Sequence, residues 1–214
     1  MVYNMEFCAA TGNAGKLKEI RRILERQGHT VKSQKELGIT LEPEETGTTF
    51  AENAEIKAKA ICRAAQMPTI ADDSGLSVDV LDGAPGVYSA RYCGRHGDDE
   101  ANNDKLLQAL QGVPKAERGA KFISAVCVYF PDQSSYLFEG ECPGFVSTER
   151  TGNNGFGYDP IFVPAQVGLV EGGKRPNTEE RSYAELEDAE KDAISHRGEA
   201  MRKMEQELPN LLKK

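Results

Sequence analysis

At 214 residues, the chain is long enough for one large domain or two small lobes around a buried core. Its 28% charged and 39% hydrophobic residues mark a folded globular protein and exclude a disordered one. The 26 basic and 34 acidic side chains, a formal charge of -8, argue against a duplex nucleic-acid partner. An anionic small molecule stays open, because a few placed lysines or a metal override the global field.

In chain order, Glu6 to Ala10 reads as a short buried strand that ends at Thr11-Gly12-Asn13. A helical period starts at Lys16, with Leu17, Ile20 and Leu24 on one face and Gly28 as its stop. Thr49-x-x-Glu52 is a capping-box signature opening a second helix with Phe50, Ala54, Ala58, Ile61 and Ala65 at helical spacing, ended by Pro68. Thr69-Ile70-Ala71 predicts a short strand running into Asp72-Asp73-Ser74-Gly75. Gly83-Ala84-Pro85-Gly86 is turn chemistry, and Leu106, Leu107 and Leu110 mark a helix closed by Gly112. Lys121 to Phe130 and Tyr136 to Cys142 predict two antiparallel strands, and Phe156 to Val163 is strand-like. Gln166 to Arg181 reads as a polar, exposed loop, and a last helix from Ser195 carries Ala200, Met204 and Leu208 inward. Strand-then-helix units followed by a meander predict an α/β domain with a mixed sheet.

The five cysteines, Cys8, Cys62, Cys93, Cys127 and Cys142, are scattered and form no C-x-x-C pair, so they read as reduced thiols packed as small hydrophobes. The N-terminal residues carry no basic or apolar leader pattern, and the most apolar run, Phe122 to Phe130, is too short to span a bilayer. A cytoplasmic, soluble protein with neither a nucleic-acid nor a membrane partner is expected.

Four features carry candidate chemistry. Thr11-Gly12-Asn13-Ala14-Gly15-Lys16 is a strand-to-helix turn whose amides and lysine suit phosphate, and it reads equally well as a tight turn with a solvated lysine. It is not a Walker A loop, since Leu17 stands where Ser or Thr would follow the lysine. Glu44-Glu45 and Asp72-Asp73 are acidic doublets able to hold a hard cation, leaving a carboxylate to orient or deprotonate water. For Glu44-Glu45 surface charge is the plainer reading; for Asp72-Asp73, next to Ile70-Ala71, a core position would demand a counter-charge. Asn53 and Lys57 share a helix face, which places Lys57 beside any anion near Asn53. Gly155-Phe156-Gly157-Tyr158-Asp159-Pro160 offers an aromatic platform for a base, with Lys191, Ser195, His196 and Arg197 downstream; sheet core is the alternative for both aromatics.

Those segments, with Ala71-Asp72-Asp73-Ser74-Gly75-Leu76, Gly83-Ala84-Pro85-Gly86-Val87-Tyr88-Ser89-Ala90-Arg91 and Ser195-His196-Arg197-Gly198, occur in one order from residue 6 to about 208. In that order they resemble the inosine triphosphatase (Ham1/RdgB) family of noncanonical purine NTP pyrophosphatases. The resemblance implies a single ITPase-like α/β domain over residues 1–214: an elongated mixed β-sheet with two lobes, flanked by helices, and a nucleotide-binding cleft between them. It implies a homodimer that hydrolyses ITP, dITP and XTP to the monophosphate and pyrophosphate with Mg²⁺.

In that reading Asp73 is the general base for water attacking the α-phosphorus, Glu44 and Asp73 hold the metal, and Glu45 supports the acidic cluster. Asn13, Lys16 and Lys57 face the triphosphate with the Thr11–Gly15 turn and Ser74 nearby. Phe156 stacks on the purine beside Gly157 and Tyr158, Asp159 supports the site, and Lys191, His196 and Arg197 face base and ribose. Selection for a 6-keto purine needs a donor at that position, which adenine would leave unpaired. The one departure is Val167 to Arg181, longer than the short connection the family pattern leads one to expect. A related pyrophosphatase acting on another nucleotide, and a sensor that binds a triphosphate without cleaving it, are the competing readings.

Overall fold

The computed structural model describes residues 4–169 and 172–211. Residues 170 and 171 of the predicted loop, and the first three residues of the N-terminal segment, lie outside them. The described elements are β1 (Glu6–Ala9), α1 (Ala14–Arg26), β2 (Thr30–Ser33), α2 (Phe50–Ala65), β3 (Thr69–Val78), α3 (Asp99–Ala109), β4 (Gly119–Tyr129), β5 (Ser135–Val146), β6 (Phe162–Pro164), β7 (Gln166–Gly168), β8 (Lys174–Pro176), α4 (Asp188–Ile194) and α5 (His196–Leu211). Six strands form one sheet in the order β2-β1-β3-β4-β5-β6. The sheet is mixed: β1 pairs parallel with β2 and β3, whereas β5 pairs antiparallel with β6. This is the α/β class expected.

The chain divides into two compact units. The first comprises the chain through Asp73, Ser124–Gly140 and the chain from Arg197 onward. Its buried apolar residues come in two sets. Phe7, Ile20, Leu24, Ile70 and Val126 pack with Ala200, Met201, Met204 and Leu208 of α5, and Cys8, Ala54, Ala58 and Ile61 pack with Ala71 and Cys127. The inward stripe of α5 is therefore the one its spacing predicts. The second unit, Ser74–Ile123 with Glu141–His196, has its own core around Leu76, Leu106, Phe122, Ile161, Phe162 and Tyr183.

Several local expectations are corrected. Strand β3 does not stop at Ala71 but continues through Asp72 and Asp73 to Val78, so the acidic doublet lies within a strand rather than at its end. Helix α2 does end before Pro68, as expected, with Gln66 in a left-handed conformation (φ 53°). Phe156 to Val163 is mostly loop: Gly155 and Gly157 have φ of +81° and +62°, a 3-10 turn spans Asp159–Ile161, and only Phe162–Pro164 is strand. The segment read as a polar loop folds into the β7–β8 pair, in which Val167 is buried. Helix α4 precedes the last helix, which starts at His196 rather than Ser195. Strand β2 was not anticipated.

Candidate active site

The first unit gathers cations and carboxylates at the ends of α1 and α2 and in the middle of β3. Asn13 caps α1: its Oδ1 accepts a hydrogen bond from the Lys16 amide at 2.9 Å, and its own amide donates to Thr11 Oγ1 at 3.1 Å. A side-chain acceptor there satisfies one of the orphan amides of a helix start. The cap places Lys16 in the first turn, and its Nζ lies 3.0 Å from Asp72 Oδ2. At α2, Thr49 and Glu52 form the reciprocal capping box, and Asn53 Oδ1 accepts from the Gly47 amide at 2.8 Å. A Cβ on Gly47 would stand 2.7 Å from that same Oδ1, so the approach requires glycine. One helical turn beyond Asn53, Lys57 Nζ lies 3.0 Å from both Glu45 Oε1 and Asp73 Oδ1, and donates to the Asp72 carbonyl at 3.0 Å.

Asp72 and Asp73 are successive strand residues, so their side chains leave opposite faces of the pleat. Asp72 is buried, with Ser124 Oγ donating to Oδ1 at 2.5 Å and Arg197 Nη2 to Oδ2 at 2.9 Å. The Arg197 guanidinium, only 1% exposed, also pairs with the buried Glu19. Burial pushes the Asp72 carboxyl up, but Arg197 and Lys16 beside it, with the hydrogen bonds from Arg197 and Ser124, hold it well below the usual carboxylate range. For Lys16 burial prevails over the attraction of Asp72, and its pKa is lowered. For Lys57 burial is outweighed by Asp73 and Glu45, and its pKa is raised. Asp73 differs from its neighbour: Oδ1 meets Lys57, while Oδ2 is buried and has no hydrogen-bond partner among the described residues.

A buried carboxylate oxygen without a donor invites a cation or a protonated oxygen. Among the described residues no three His, Cys, Asp or Glu side chains converge as a ready-made metal cage. Asp73 Oδ2 with Glu45, which shares Lys57 with Asp73, nevertheless suits a magnesium ion held by one or two carboxylates and otherwise by water and phosphate oxygens. Glu44 is exposed, and it is Glu45 of that doublet that reaches Lys57.

The second unit holds the aromatic segment. Gly155 is required there, since a Cβ would stand 1.9 Å from Asp159 Oδ2. Buried Asp159 accepts from the Phe156 amide at 2.9 Å and from Lys191 Nζ at 2.6 Å. Lys191, carried by α4, has its Nζ 5.2 Å from the centroids of both the Phe156 and Tyr183 rings. Phe156 is half-buried. Tyr158 instead belongs to the core: it is 4% exposed and its hydroxyl donates to the Ser89 carbonyl at 2.9 Å. His196 is buried in a stack on Phe122 (4.7 Å, 9°), which in turn stacks on Tyr183.

Of the residues expected at the site, the first unit thus brings together Lys57, Glu45 and Asp73, with Lys16 on Asp72 and within electrostatic reach of Lys57 and Asp73, and the second unit brings together Phe156, Asp159 and Lys191. Gly12 and Ala14 are exposed beside Asn13, and Gly15 and Ser74 are half-buried. Arg197 is placed otherwise than expected, its guanidinium engaged by Asp72 and Glu19 in the first unit. Glu19 and Ser124 are partners the sequence reading missed. Their signal was an acid beside Ile20, Ile23 and Leu24 in the buried stripe of α1 and a lone hydroxyl in the apolar run of β4.

Residues 7–207 match the model of the Ham1 family. The dITP/XTP pyrophosphatase of Bacillus subtilis is 45% identical over 204 residues, covering 95% of this chain and 97% of the relative. Among solved structures, a HAM1 protein from Coxiella burnetii superposes with a TM-score of 0.79 at 35% identity, covering 96% of this chain and 99% of that one. The nucleoside-triphosphatase, or dITP/XTP pyrophosphatase, of Mycobacterium abscessus superposes with a TM-score of 0.69 at 42% identity, covering 94% and 98%. A match of that length in sequence and in fold makes the chain a member of the Ham1 family.

Proposed function

We propose that this protein hydrolyses dITP, XTP and ITP to the nucleoside monophosphate and pyrophosphate, removing them from the cytoplasmic nucleotide pool. The names of the Bacillus subtilis and Mycobacterium abscessus relatives support the substrate class. The observation that carries the mechanism is Asp73, with one oxygen tied to Lys57 and the other buried without a donor.

In this reading Asp73 Oδ2 takes the proton of the water that attacks the α-phosphorus, while Lys57 keeps the carboxylate oriented. Lys16 turns to the triphosphate oxygens, while Lys57 stays on Asp73 and acts on them through its charge. Lys16 can leave Asp72 without stranding a buried charge, because Arg197 and Ser124 continue to hold that carboxylate. Asp73 with Glu45 or Glu44 would hold magnesium, which when bound would supply charge neutralisation on the phosphates and the departing pyrophosphate. The α1 amides at Ala14 and Gly15, with Asn13 beside them, line the phosphate side.

For the base, Phe156 is the stacking platform and Lys191, kept beside it by Asp159, donates to a purine 6-keto oxygen. Adenine would set its amino group against that donor, a mismatch worth roughly 10⁴ in discrimination. The two units act as lobes of one ITPase-like domain, and the protein works as a homodimer.

The test is a magnesium-dependent product assay with dITP, XTP, dATP and dGTP. Pyrophosphate is expected as the first product from dITP and XTP, and orthophosphate in its place would overturn the reading. Asp73→Asn should retain nucleotide binding and lose about 10²–10⁴-fold in kcat. Undiminished turnover would remove Asp73 from its role, and binding without turnover in the unaltered protein would make it a sensor.

A further inference from the structure

Two polar residues of α3 take no part in the chemistry proposed for the site. Asp99 and Asn103 stand one turn apart and so share a face of that helix. Asn103 is 1% exposed, an unusual burial for an amide on a helix. Both side chains are directed at one glycine. Asp99 Oδ2 accepts from the Gly157 amide at 2.8 Å, and Asn103 Nδ2 donates to the Gly157 carbonyl at 2.8 Å. Asn103 Nδ2 also donates to the Asp99 carbonyl at 2.8 Å, which ties the two together.

We infer that Asp99 and Asn103 are positioning residues that fix the direction of the Phe156 ring and thereby set purine affinity and selectivity. The direction of a side chain is set by the peptide groups on either side of it. The Phe156 amide is held by Asp159 Oδ2, and the Phe156 carbonyl accepts from the Asp159 amide at 3.2 Å. The next amide is held by Asp99 and the carbonyl after it by Asn103. Every polar backbone group from Phe156 to Gly157 therefore has a fixed partner within the second unit. Side-chain packing cannot replace these bonds at Gly157: it has φ +62°, and a Cβ there would meet nothing within 4 Å. A ring with its backbone pre-set loses less freedom when a base settles on it.

The inference rests on Phe156 as the base platform, so the experiment separates the two ideas. Steady-state kinetics with dITP and dATP are compared for the full-length protein, Phe156→Ala, Asp99→Ala, Asp99→Asn, Asn103→Ala and the Phe156→Ala/Asp99→Ala pair. Asp99→Ala and Asn103→Ala should each raise the KM for dITP about three- to tenfold, as for loss of one neutral or charged hydrogen bond, and narrow the dITP/dATP preference, while kcat changes little. Asp99→Asn keeps an acceptor and should restore most of the KM. Adding Asp99→Ala to Phe156→Ala should give no further rise, because there is no ring left to position. If Phe156→Ala raises KM and the α3 variants do not, the positioning role is wrong while the platform stands. If Phe156→Ala leaves KM unchanged, the platform itself is wrong and the inference falls with it. Asp99 is half-buried and tolerates truncation better than Asn103. A lower melting temperature in Asp99→Ala with KM and preference intact would reduce the pair to a structural role.

Discussion

Asp72 and Asp73 are neighbours of one chemical type with opposite duties, and the pleat of β3 is the cause. One carboxylate turns to Arg197, Ser124 and Lys16 and is fully engaged; the other turns to Lys57 and keeps an oxygen in reserve. Arg197 is the keystone of the engaged side. Arg197→Met leaves Asp72 and Glu19 buried without their shared cation and should cost about 3–5 kcal/mol in urea unfolding. Arg197→Lys should recover only part, because an ammonium cannot reproduce the planar fork. The depressed Asp72 pKa also fixes a sign. Its contribution is fully present above about pH 4, the unfolded value, and is lost as the pH falls through the lower folded value. Stability measured from pH 6 downward should therefore fall less steeply in Asp72→Asn than in the unaltered protein, and equal slopes would contradict the assignment. The doublet itself was legible in the sequence, as was its need for a counter-charge. The resemblance, and not the residues by themselves, singled out Asp73 of the two, because the arginine that engages Asp72 lies 125 residues away.

At the scale of elements, legibility followed local signals. The capping box of α2, the glycine stop of α1 and the inward stripe of α5 each have a short-range cause, and all three are seen. Strand β3 was read too short because two acids in succession look like a loop. Their partners, Lys16, Lys57 and Arg197, come from three helices and make the burial tolerable. Strands β2, β7 and β8 have three or four residues each, too few for a period to declare itself. Because α2 carries both Asn53 and Lys57, its start matters to the site. Thr49→Ala should cost about 1 kcal/mol of stability, read as a lower melting temperature. With the helix start loosened, Lys57 and the Gly47–Asn53 contact are less well held, so KM should rise more than kcat falls.

Across the whole molecule the buried thiols are inert. The Cys8 and Cys127 thiols are pushed up to about 11 by burial, Cys62 is raised by the same cause, and Cys142 is buried. Cys93 alone is half-exposed. A thiol reagent at neutral pH should therefore titrate one cysteine rapidly in the native chain and all five after denaturation. Two or more fast thiols would show that the cores open readily. No helix among the described residues is long and apolar enough to cross a membrane. The acidic balance and the Ham1-family pattern could be read from the sequence. The division into two units of discontinuous segments could not, because it depends on contacts between remote stretches.

That discontinuity bears on how the protein comes into being on the ribosome. Glu19 and Asp72 emerge 178 and 125 residues ahead of Arg197, the cation that makes their burial possible. Until residue 197 and α5 are made, the first unit lacks both that arginine and the apolar stripe, so its acids must stay hydrated and its core ajar. Hydrolytic competence therefore waits on Arg197 and α5, and a nascent chain released before them would be a substrate for proteases rather than a weak enzyme.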